Sequence, residues 1–211
     1  NSIIPFILTF STFDIGFHYD AALYHLNFQN WLLNEKIVFG LSNVYAPFGL
    51  SSISDYIFAN FHINGNFVAL HFLNIAIFTS LFSLLFSIIF FDKKSSYKFA
   101  GLFVLLFCFA DNFGINGGGN GFPNFQGIGK VDNLFGVLFL FIVLMYINMK
   151  KENHIDFFDF QIFTLLTLFS VQLKIFGILF LFLYIDIFLS FYKGKKISTL
   201  VFFKFFTVPI F

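Results

Sequence analysis

The run FFDFQIFTLLTLFSVQLKIFGILFLFLYIDIFL, residues 157 to 189, is too long for one membrane-crossing helix and too apolar for the surface of a soluble domain. A hydrocarbon core about 30 Å thick is crossed by roughly 20 helical residues, with about 17 as a lower bound. Gln172 and Lys174 interrupt the middle of the run, and reading them as a tight turn gives one span over 158–171 and another over 175–189. Outward from this pair, Phe67 to Phe91 and Leu134 to Met149 are the clearest spans. Lys98 to Ala110 is short, Ser2 to Phe10 reads as the tail of a preceding span, and a final one begins near Leu200. The expected fold is an all-α polytopic membrane protein with about five full transmembrane helices and truncated ones at both ends. It forms a single transmembrane domain over residues 1–211, read as a fragment because it starts at Asn1 and stops inside an apolar run at Phe211.

Composition supports the lipid environment. With 58% hydrophobic residues, 11% charged residues and 12 Lys plus Arg in 211 residues, the chain cannot clothe itself in polar surface. A net charge of +1 argues against nucleic acid as a partner, and the one cysteine, Cys108, permits no internal disulfide. The lysines orient the spans, since short cytoplasmic loops retain cations. Lys93, Lys94 and Lys98 share one loop, Lys150 and Lys151 the next but one, and Lys193, Lys195 and Lys196 the next but one again. Placing these inside puts three segments outside: Ser11 to Gly65, Asp111 to Val131, and the turn at Lys174. Leaving the 157–189 run unsplit would put the third lysine cluster on the wrong side.

The first outer segment carries most of the polar chemistry. Asp20 precedes a run from Ala21 to Glu35 without Gly or Pro, so it is expected to cap a helix by accepting the first unpaired backbone N–H groups. At about 100° per residue, Asp20, Asn27, Asn30 and Asn34 fall on one stripe that includes Leu23, with Tyr24 and Trp31 beside it. An aromatic, amide-rich helix of this kind suits the headgroup layer. Ser52-Ile53-Ser54-Asp55 has capping-box spacing ahead of Tyr56, Ile57, Phe58 and Phe61, which predicts a second interfacial helix. Phe39-Gly40 and Tyr45-Ala46-Pro47-Phe48-Gly49 are turn signals between the two. The other outer loop, Gly114 to Pro123, is too glycine-rich for regular structure. Its closing Gly129-Lys130-Val131 lacks the pattern of a phosphate-binding P-loop, so it reads as a flexible connection or a flap.

His18-Tyr19-Asp20-Ala21-Ala22-Leu23-Tyr24-His25 through Trp31-Leu32-Leu33, followed by Asn43-Val44-Tyr45-Ala46-Pro47-Phe48-Gly49, resembles the first periplasmic loop of the GT-C membrane glycosyltransferases. The likeness is to the RgtA/B-like, ArnT-like and protein-mannosyltransferase-like group. Lys130-Val131-Asp132-Asn133 and Ser170-Val171-Gln172-Leu173-Lys174 also stand where such proteins carry an acidic and a basic residue. Many relatives have a second carboxylate directly after the loop Asp; here that position is Ala21, and neither a metal nor another cofactor is indicated.

The resemblance implies an enzyme of the bacterial inner membrane with its site facing the periplasm. It would move a sugar with inversion from a polyprenyl-phosphate donor to a lipid, glycan or protein acceptor. Such chemistry needs a carboxylate base at the acceptor hydroxyl and a cation near the leaving phosphate. Asp20 is then the candidate base, against its plainer role as a cap. Lys174 is the candidate phosphate partner, against simple snorkelling to the surface. Asp132 would bind hydroxyls unless it only caps its helix, and Tyr24, His25 and Asp111 are further substrate-binding candidates, with His18 weaker. The rival classes are a membrane transporter, which would place its charges near the midplane, and a non-catalytic component of an envelope-polymer pathway.

Overall fold

The computed structural model describes residues 3–10, 19–35, 39–50, 52–62, 68–91, 95–110, 131–151 and 155–194, and among them there is helix, turn and short connection but no strand. The helices are α1 (Ile3–Phe10), α2 (Leu26–Asn34) entered through a π-helical turn (Ala21–His25), α3 (Leu41–Val44), α4 (Ile53–Ala59), α5 (Phe72–Phe91), α6 (Ser95–Ala110), α7 (Val131–Lys151), α8 (Phe157–Leu173) and α9 (Phe180–Gly194). Short 3₁₀ segments occupy Ala46–Leu50, Val68–His71 and Ile175–Leu179. The chain divides into two compact units, Asn1–Leu138 and Phe139–Phe211.

Three helical stretches are long and apolar enough to cross a bilayer: Ala69–Phe91, Val131–Lys151 and Ile175–Tyr192. Within their apolar windows only 33%, 22% and 22% of residues are buried. Phe90, Phe139 and Phe182 are accordingly 66%, 51% and 72% exposed. An apolar surface of that extent is not left facing water by a monomeric soluble domain, so the chain belongs in lipid. Two further apolar helices, Tyr97–Leu106 and Phe157–Leu173, fall short of the same length. The expected final span beyond Leu200 lies outside the described residues, as does the glycine-rich loop.

In the first unit, α1 and α6 pack on α5, and α2 packs on α4. The loop helices join the first long span through a small core in which Ala21, Phe58 and Leu70 are almost fully buried, with Leu26, Phe61 and Leu73 packed around them. Ala21, where a second carboxylate was the alternative, therefore sits in the core of the unit. A carboxylate there would be buried without a partner in that apolar cluster.

In the second unit, α8 and α9 form an antiparallel hairpin. Phe160 stacks on Phe191 at 4.5 Å, and Phe163 lies 6.5 Å from Tyr184, closer to the turn. α7 runs parallel to α9: the Phe139 and Phe180 rings are 5.4 Å apart, and Tyr146 Oη and Lys150 Nζ reach Asp186 Oδ2 at 2.8 and 3.0 Å. Lys150 and the end of α9 thus share one end of this unit, and Lys174 occupies the other. The break falls where the polar pair predicts it, because α8 ends at Leu173 and Lys174 is extended (φ −147°, ψ 143°). The Lys174 N–H donates to Ser170 O at 3.1 Å, and the Gly177 N–H donates to Lys174 O at 2.8 Å.

Gly177 makes that turn possible. A Cβ there would lie 2.3 Å from Ser170 O and 2.6 Å from the Val171 nitrogen, both backbone atoms that cannot rotate away. Gly177→Ala is expected to destabilise the hairpin by about 3 kcal/mol, the upper end of overpacking costs. Thermal inactivation of the purified variant in detergent checks this, and an unchanged midpoint would show that the turn relaxes freely.

Candidate functional site

The polar centre of the first unit is built where α2 meets α4. The helix expected after Asp20 is present, but it starts earlier: Tyr19 and Asp20 are already helical. Asp20 has φ −63° and ψ −28° and makes no side-chain cap hydrogen bond, so its expected role as an N-cap is corrected. A cap residue needs extended backbone to turn its oxygen onto the N–H groups that follow, and a helical residue cannot do so.

The π turn over Ala21–His25 closes with the Leu26 N–H bonded to Ala21 O, five residues back. Compared with a regular helix it holds one extra residue, so Asp20 is rotated by about 100° from the stripe that even helical spacing predicts. Asn27, Asn30 and Asn34 remain on the exposed face. There Asn27 Nδ2 bonds Ala22 O and Leu23 O at 3.2 Å, and Asn34 Nδ2 bonds Asn30 O and Oδ1 at 3.0 and 2.8 Å.

The Ser52–Asp55 capping box is present as its spacing predicts. The Ser52 N–H donates to Asp55 Oδ2 at 3.1 Å, which occupies one carboxylate oxygen. The other, Oδ1, accepts from His25 Nδ1 at 2.8 Å and from Gln29 Nε2 at 3.4 Å. Gln29 Oε1 in turn meets His62 Nε2 at 2.9 Å. Asp55 is 1% exposed and Gln29 fully buried, so this polar chain crosses the interior between the two helices. Residues 25 and 29 are four apart and share a face of the helix, while His62 follows α4 and closes the far end.

Tyr24 borders the network, its ring centroid 4.3 Å from that of His25 and tilted by 38°. Burial raises its phenol pKa, and the negative charges of Asp20 and Asp55 raise it further. The hydroxyl therefore holds its proton at neutral pH and acts as a donor. Around the pair, Phe28 contacts Phe48 and Tyr56, and Tyr45 meets Phe48 edge-on at 5.4 Å. Tyr19, Leu23, Trp31, Tyr45 and Tyr56 all present exposed surface.

Burial lowers the pKa of His62 below its ordinary value of 6.5. The sign follows from linkage. The unfolded loop takes up the proton first as pH falls, so the folded pair is fully stabilised above about 6.5 and loses stability below it. The hydrogen bond to Gln29 survives protonation, because Nε2 donates in either state, and the loss comes from burying charge. Melting of the full chain in detergent at a series of pH values is expected to show this acid-side fall, and His62→Gln is expected to flatten it.

Of the expected site residues, Asp20, Tyr24 and His25 share one helical turn and are joined there by Asp55. Asp132 is exposed in the first turn of α7, and Lys174 is half-buried at the break after α8. Asp111 and His18 lie outside the described residues. Among the described residues no group of three His, Cys, Asp or Glu side chains gathers as a metal site. No protein-family model, curated protein or solved structure matches the chain.

Proposed function

We propose that this chain is part of a GT-C-like membrane glycosyltransferase that moves a sugar from a polyprenyl-phosphate donor to a lipid, glycan or protein acceptor. The reading has it in the inner membrane of a bacterium with about five full spans, α5 to α9, and the loop helices on the periplasmic face. One observation carries it. Between α1 and α5, the described residues 19–35 and 52–62 pack on the first long span through Ala21, Phe58 and Leu70, and group a carboxylate, a phenol and an imidazole on one turn in a stretch that also exposes aromatic side chains. Tyr and Trp at the edge of a hydrocarbon layer suit a site that meets a lipid-borne substrate.

In this reading Asp20 takes the proton of the acceptor hydroxyl. The hydroxyl oxygen forms the bond to the anomeric carbon as the bond to phosphate breaks, the proton stays on Asp20, and the electron pair leaves with the polyprenyl phosphate. Lys174, at an outer helix end, neutralises that phosphate as a point charge. The test is transfer of radiolabelled sugar in membrane vesicles made with the full-length protein. Transfer is expected in right-side-out vesicles supplied with polyprenyl-phosphate sugar, and Lys174→Ala is expected to raise the donor concentration required. Transfer confined to inside-out vesicles would overturn the sidedness, and none in either orientation would overturn the reaction.

A further inference from the structure

Resting on the reading that the Asp20 face receives a substrate, we propose that Asp55 is a positioning residue. It makes His25 Nε2 a hydrogen-bond acceptor for a neutral hydroxyl of a sugar-like ligand. A carboxylate only accepts, so the His25 Nδ1 that meets Asp55 Oδ1 at 2.8 Å carries the hydrogen. The same logic orients Gln29: its amide NH₂ faces Asp55, its oxygen faces His62, and His62 Nε2 must donate. One buried carboxylate thereby fixes each proton along the chain of four side chains. A neutral imidazole with hydrogen on Nδ1 has its remaining lone pair on Nε2.

That nitrogen has no hydrogen bond to any described residue, and it is not among the buried side-chain atoms left without a partner. The His25 side chain is 11% exposed against 1% for Asp55, so the buried end of the pair is the carboxylate and the open end the imidazole. Beside the ring stands the half-buried phenol of Tyr24, a donor, and Asp20, an acceptor, opens the same turn. Two acceptors and one donor next to an aromatic face match a polyhydroxylated ligand, whose hydroxyls donate and whose C–H face packs on a ring. A phosphate or carboxylate would confront the Asp20 charge and the Nε2 lone pair, so this face selects against anions and leaves the donor phosphate to be bound elsewhere.

The test uses the full chain in detergent micelles with ¹⁵N-labelled histidine, the His25 signals being assigned by their loss in His25→Gln. At neutral pH the two ring nitrogens are expected to report hydrogen on Nδ1 and none on Nε2. Methyl glycosides of glucose, mannose and galactose are then titrated in, with inorganic phosphate as the contrast. At least one glycoside is expected to move the Nε2 resonance while phosphate does not, and Asp55→Asn is expected to abolish the fixed tautomer.

Hydrogen on Nε2, a doubly protonated ring, silence toward every glycoside, or a response to phosphate would each overturn the proposal. Because the tautomer and titration are read on the unmodified protein, an unstable Asp55 variant does not blunt them. A glycoside response in protein that transfers no sugar would sink the transferase reading and leave this site standing. Transfer with an unresponsive His25 would do the reverse.

Discussion

Replacing Asp20 with asparagine is expected to leave a folded, membrane-inserted protein whose sugar transfer falls by about 10²- to 10⁴-fold, the usual consequence of losing a positioned base. The structure sharpens this expectation. Asp20 is helical and makes no cap hydrogen bond, so the substitution costs the helix only on the order of a few tenths of a kcal/mol. The amide matches the carboxylate in shape but cannot take a proton from a hydroxyl at neutral pH. Steady-state transfer by the purified variant, normalised to protein folded by circular dichroism, decides the matter. Transfer within a few-fold of normal would remove Asp20 from the mechanism and turn attention to Asp132.

A second large effect is expected at Asp55, on stability rather than rate. Asp55→Ala leaves three donors facing an empty space: His25 Nδ1–H, the Gln29 amide and the Ser52 N–H. A buried donor stripped of its acceptor costs about 1–3 kcal/mol, and Asp55→Ala strips three at once. The α2–α4 pair is therefore expected to separate while the long spans stay inserted. A cysteine at Ala59, which is 5% exposed, reports this in a background where Cys108 is alanine. It is expected to resist a thiol reagent with Asp55 present and to react with Asp55→Ala. Continued protection would show that the Ala21–Phe58–Leu70 core holds α4 unaided.

The long elements could be read from the sequence because their signal is one-dimensional. Apolar length places α5, α7 and α9, and the Gln172–Lys174 pair breaks α8 from α9 where the chain turns. The Ser52–Asp55 spacing likewise predicts its cap. Three features were hidden for separate physical reasons. The π turn leaves no mark in hydrophobic periodicity, so a stripe computed at even helical spacing misplaced Asp20. The burial of Ala21 depends on Phe58 and Leu70, both far along the chain. Asp55 was seen as a cap and no more, because a motif accounts for one carboxylate oxygen and the second is spent on residues 26 and 30 positions away. His25 and Gln29, four apart on one helix, were the available hint that a buried acceptor faced them.

The extra residue in the Ala21–His25 turn also bears on how such a segment tolerates insertion and deletion. A deletion inside it, at exposed Ala22 for instance, would let the turn relax to ordinary helical spacing without opening the chain. Everything before the turn would keep its angle about the helix axis relative to everything after it, because the turn already absorbs its extra residue. The Asn27–Asn34 face and the His25–Asp55 contact would keep their places, and the Asp20 carboxylate, then six residues ahead of Asn27 rather than seven, would stay off the asparagine stripe. A one-codon deletion in this turn is thus absorbed without rotating the functional groups on either side of it, whereas the same deletion in the regular helix that follows would turn one part of the face by about 100° against the other.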